Sequence, residues 1–131
     1  MSLAMWQDRA LERSLALNIA QSTLLRSADI VTGALGSEWL ERQRLLTTRP
    51  ERIISDIHPL YRLLTSSNDQ SIVTVCELAR YIQEFGSDSA IATIVGDLRS
   101  DKYESTLLEL AVAHRWKKAG AVVTLQPPVP I

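Results

Sequence analysis

Tyr103-Glu104-Ser105-Thr106-Leu107-Leu108-Glu109-Leu110-Ala111-Val112-Ala113, continued by Lys118-Ala119-Gly120-Ala121-Val122-Val123-Thr124-Leu125-Gln126-Pro127, is the stretch in which the chain changes character. Before Gly120 the apolar residues recur at helical spacing, and Ser100 or Asp101 is placed to cap the helix start. After Gly120 the residues are β-branched and aliphatic, and Pro127-Pro128 closes the run. The pattern predicts a helix that ends at Gly120 and a single strand over 121–126.

A lone strand leaves backbone donors and acceptors unpaired. No earlier stretch offers an equal partner. Either two copies therefore pair through residues 121–126 as a homodimer, or the sheet lies beyond Ile131. The expected division is a helical domain over 1–120, then a strand and Pro-rich tail over 121–131 leading to a domain absent from this chain. Met1-Ser2-Leu3 ahead of Ala4-Met5 likewise reads as a vector leader before a second start.

Towards the N-terminus the period remains helical. Ile91, Ile94, Val95 and Leu98 mark a short helix from Ser87, and Ile72, Val75, Ala79 and Ile82 line one side of another that ends at Gly86. Residues 65–70 form a polar turn. Ile53, Ile54, Ile57, Leu60, Tyr61 and Leu64 follow helical spacing, with a kink or a fresh start expected at Pro59. Thr48-Arg49-Pro50-Glu51 has the capping-box pattern, and Ser37 is placed to cap a helix through Leu46. Residues 4–31 contain neither Pro nor Gly; Leu11, Leu15 and Ile19, then Leu24, Leu25 and Ala28, predict one helix stopped by Gly33 and Gly36. The expected fold is mainly all-α, a bundle of five or six helices with one C-terminal β-strand.

Composition narrows the function classes. The 131 residues are one domain's worth, 46% hydrophobic and 22% charged, which excludes wholesale disorder. With 14 basic and 15 acidic residues the net charge is −1, so nucleic acid is not favoured as a partner of this chain alone. One cysteine, Cys76, builds neither an internal disulfide nor a thiolate zinc site, and reads as a small buried hydrophobe. No apolar run approaches the ~20 residues of a membrane span, and no signal sequence is visible, which makes the cytoplasm the expected compartment.

Candidate chemistry is sparse. His58 and His114 have no partner at ligand spacing; His58 before Pro59 reads as a turn residue. His114, on the helix side of Tyr103, Leu107, Leu110 and Ala111, reads as a partly buried core histidine. Trp6, Trp39 and Trp116 read as core anchors. No nucleophile elbow or phosphate loop occurs, and no cofactor or metal is expected. His114-Arg115-Trp116-Lys117-Lys118 is the basic cluster, and Arg115, Lys117 and Lys118 are the candidate phosphate or nucleic-acid contacts. A helix C-terminus favours such charges regardless of function. Residues 71–100 also admit a helix-turn-helix reading, but its recognition helix over 89–99 would offer Arg99 as its only cation.

Residues 100–128, through the two runs quoted at the outset, resemble the opening helix and first core strand of PD-(D/E)XK (restriction-endonuclease-like) nuclease folds. The resemblance implies a glutamate near Glu109 facing a metal site, a glycine ending the helix and a proline closing the strand. It further implies a metal-binding Asp on a second strand and Glu-x-Lys or Asp-x-Lys on a third. No acidic residue stands two before Lys102, Lys117 or Lys118, so that signature is absent. Glu109 could serve only with a downstream domain, because one carboxylate does not hold Mg²⁺. The first expectation is a non-catalytic N-terminal helical interaction or scaffold region of a larger, nuclease-like bacterial protein. Behind it stand a self-contained dimerising interaction module and a DNA-binding regulator.

Overall fold

A computed structural model of the chain describes residues 3–49, 57–66, 68–123 and 125. They are mostly helical: α1 Leu3–Glu12, α2 Ser14–Leu17, α3 Gln21–Leu35, α4 Ser37–Thr47, α5 Pro59–Thr65, α6 Asp69–Phe85, α7 Ile91–Leu98 and α8 Tyr103–Lys118. Among the described residues there are eight helices, against the expected five or six. The chain divides into two units, Met1–Ala79 and Arg80–Ile131, so that α6 contributes to both.

In the first unit α1 packs against α3 and α5, and α3 against α4. The helix expected over 4–31 is broken twice. Asn18 takes the left-handed conformation at φ 56°, which a short polar side chain tolerates, and its N–H caps α2. The Ser14 hydroxyl donates to the Ile19 carbonyl at 2.6 Å and its carbonyl accepts the Ile19 N–H, which folds the chain back. This break dissolves the Leu11-Leu15-Ile19 stripe. Leu15 is 96% exposed, while Trp6, Ala10 and Ser14 point inward instead. Gly33 lies inside α3, and Gly36 at φ 86° ends it, a backbone angle that glycine adopts without strain.

Ser37 stands at the first helical position of α4 without a side-chain cap. The Thr48 hydroxyl donates to the Leu45 carbonyl and so closes the end of α4. The Glu51 half of the capping box, with Ile53 and Ile54, lies outside the described residues. Pro59 makes a fresh start, as one of the two expected outcomes had it. His58 is the N-cap of α5: its Nδ1 accepts from the Leu60 N–H at 3.0 Å, and its own N–H donates to Gln43 Oε1 at 2.8 Å. Trp39 meets the His58 ring edge-on at 5.3 Å. Arg13 donates both its Nε and an Nη to the two oxygens of Asp69, each at 3.0 Å, at an exposed position.

Within α6 the predicted face holds, since Ile72, Val75, Ala79 and Ile82 are all buried. Cys76 is half-buried, short of the full burial expected.

In the second unit α7 packs against α8. The turn before α8 is built by Ser100, whose hydroxyl donates to the Asp97 carbonyl and accepts from the Lys102 N–H. Neither Ser100 nor Asp101 is the cap; Lys102 holds that position. At the other end Gly120, at φ 97°, allows the Ala121 N–H to reach the Trp116 carbonyl at 3.1 Å, the long bond of a Schellman ending.

The strand expected over 121–126 is not formed by its described residues. Ala121, Val122, Val123 and Leu125 are neither helix nor strand, and Thr124 and residues 126–131 lie outside the described set. One physical reason is local: the Leu125 N–H donates to the Asp88 carboxylate at 3.0 Å, and its side chain is buried. Val122 is 99% exposed.

Candidate functional site

Helix α8 gathers the candidate residues of the sequence and presents two unlike faces. At 100° per residue, Tyr103, Thr106, Leu110 and His114 share one side. Tyr103, Thr106 and Leu110 are buried and His114 partly so. Burial raises the Tyr103 hydroxyl above its ordinary range.

On this inner side His114 Nδ1 makes a short hydrogen bond to the Glu84 carboxylate, which comes from the last turns of α6. The Tyr81 ring lies tilted against the imidazole at 5.3 Å. Lys117 Nζ stands 3.9 Å from the other Glu84 oxygen and 5.2 Å from the centre of the Phe85 ring. Glu84 thus faces two side chains of α8, and Phe85 offers its π face to Lys117. The arrangement clamps α8 to the end of α6. Among the described residues no three His, Cys, Asp or Glu side chains group as a metal site would require.

The opposite side is different. Leu108, Val112 and Trp116, spaced by four, form a continuous apolar stripe that is 65%, 45% and 62% exposed. Ser105 and Ala119 continue it at either end, and Glu104, Glu109 and Arg115 border it, all exposed. Isolated apolar residues on a surface are ordinary, whereas three stacked at helical spacing and including Trp make a larger exposed apolar surface than single residues do.

The sequence-derived candidates therefore part company. Glu109 faces solvent on the outer side. Arg115 and Lys118 are exposed beside the stripe, while Lys117 turns towards Glu84 and Phe85. Trp6 and Trp39 are core anchors, at 1% and 6% exposure. Trp116 is a correction: the periodicity that places Leu110 and His114 inward turns residue 116 outward. His114 is partly buried, as expected, but the sequence did not disclose Glu84 as its partner.

Two other places carry less. A depression lined by Ser37, Glu38, Glu41 and Arg42 is open to solvent, and beside it Glu41 is occupied by Arg44 at 2.6 Å. On α7, Ile94 and Leu98 are buried and the exposed positions include Ala92 and Thr93, a poor set for reading base edges. No helix among the described residues is long and apolar enough to cross a membrane. Comparison with protein-family models, with curated proteins and with solved structures finds no match.

Proposed function

We propose that this chain is a non-catalytic helical interaction domain that docks a partner helix on the outer face of α8. The observation that carries the reading is the exposed Leu108-Val112-Trp116 row. An apolar ridge spaced by four residues with charged borders is the surface that helix-to-helix recognition uses, and Trp and Arg are the residues that concentrate binding energy. The Glu84–His114 clamp supports the same reading, because a docking helix must be held rigidly by its other side. A near-zero net charge agrees with a protein partner better than with nucleic acid.

The nuclease-like parent protein is a further proposal resting on the resemblance over 100–128. Glu109, exposed on the outer face, brings one carboxylate to it.

The test replaces the row as Leu108→Ser, Val112→Ser and Trp116→Ser together. A docking face contributes little to folding, so the variant is expected to unfold cooperatively near the wild-type midpoint. Loss of cooperative unfolding would make the row part of the core, and the reading would fall.

A further inference from the structure

The outer face of α8 is complementary to itself. Val112 stands at its middle, with Leu108 and Trp116 each four residues away, about 6 Å along the axis at the helical rise. Charge is divided between the two ends: Glu104 and Glu109 before Val112, Arg115 and Lys118 after it. Glu104, Arg115 and Lys118 also lie on the same flank of the apolar row by helical angle. All are exposed.

A second α8 laid antiparallel, Val112 against Val112, sets Leu108 of each copy level with Trp116 of the other. A twofold axis across such a pair keeps each flank on its own side of the seam. Along the axis, Glu104 of one copy then lies about 3 Å from Lys118 of the other and about 7.5 Å from Arg115, within reach of these long side chains, and the same contact recurs by symmetry. Parallel pairing would instead bring basic end to basic end and align the two helix dipoles.

We infer that the occupant of this face is a second copy of the chain, packed antiparallel about Val112 in a twofold dimer. The inference rests on the docking reading above and names its partner. One helix face covers less than the roughly 800 Å² per partner of a standard interface, so the dimer is weak and exchanges readily. It is a helix pairing, and it takes the place of the strand pairing through residues 121–126.

Sedimentation of the full chain from low micromolar to near-millimolar concentration tests it. The wild type is expected to pass from monomer to dimer, and Trp116→Glu to stay monomeric. Glu104→Lys alone, and Arg115→Glu with Lys118→Glu, should each weaken association about tenfold, as paired interface charges do. Mixing these two charge variants should restore a heterodimer of near wild-type strength. That rescue comes only from the proposed contact, since misfolded chains would not recover on mixing. A monomer at every concentration, a dimer indifferent to these changes, or a mixture no tighter than its components would each overturn the self-pairing. Iodide quenching of Trp116, taken as the difference from Trp116→Phe, separates the two layers of the argument. A monomer with accessible Trp116 defeats the self-pairing alone, and a monomer with shielded Trp116 defeats the docking face as well.

Discussion

Trp39 and Trp116 sit on helices of different units and meet opposite fates. In the first unit Trp39 is buried and touches the His58 ring, and among the described residues the large exposed apolar side chains fall one to a helix: Met5 on α1, Leu15 on α2, Leu25 on α3 and Leu45 on α4. In the second unit three of them stack on one face of α8. The total of exposed apolar residues does not distinguish the units; their arrangement does. Single exposed leucines need no explanation, whereas a row with a tryptophan at its end has the form of a surface to be covered.

The comparison breaks most visibly under truncation of the two tryptophans. Trp39→Ala should cost about 3–5 kcal/mol of unfolding free energy, by lost burial and a cavity. Trp116→Ala in dilute solution should stay within about 0.5 kcal/mol, as surface changes do. Denaturant titration of both variants decides it; equal losses would erase the distinction between a filled core and an open face.

A middle-sized effect belongs to the clamp behind the face. Glu84→Ala removes the partner of His114 and Lys117, whose contacts are only partly shielded, with His114 and Glu84 side chains 21% and 19% exposed. Hydrogen bonds to charged groups of this kind contribute on the order of 1–2 kcal/mol. The same titration should show that loss. A wild-type midpoint would mean that α8 is held by apolar packing alone.

The smallest effect concerns the segment after α8. The N–H groups of Ala90, first, and of Leu125 hold the Asp88 carboxyl below the usual carboxylate range, against a desolvation that works the other way. A depressed folded value means that this stabilisation is complete above the unfolded value of about 3.9 and is lost as pH falls through the folded one. Protection of the Leu125 amide, taken relative to its intrinsic exchange rate at each pH, should therefore fall below about pH 4, and at neutral pH in Asp88→Ala. An amide indifferent to both would show that the buried Leu125 side chain, not the hydrogen bond, ties the segment down.

Much of the helical content was legible because it rests on period alone. The α6 face of Ile72, Val75, Ala79 and Ile82, the fresh start at Pro59 and the ending at Gly120 all follow from residue type and spacing. The break at Asn18 was not legible, since it depends on a hydroxyl folding back onto a carbonyl five residues on, and an i, i+4 row of leucines runs straight across it. The described residues of 121–126 form no strand for a related reason. Strand-forming residue types express a preference, and here the Leu125 amide finds its acceptor in Asp88, 37 residues away.

The outer face of α8 has a readable trace in the sequence. Leu107, Leu110 and Ala111 already supply one apolar side, so Leu108, Val112 and Trp116 are a surplus that a single buried face cannot absorb. Glu84 left none, because the pairing of residues 84 and 114 depends on how α6 and α8 meet.

In the proposed dimer the Leu108-Val112-Trp116 row is open in the single chain and covered in the pair. Iodide quenching of Trp116 across a concentration series, by difference from Trp116→Phe, reads that directly. The indole is expected to be accessible in dilute solution and to become shielded as the chain associates. An indole shielded at every dilution would contradict it, because the face would then be closed by the chain itself.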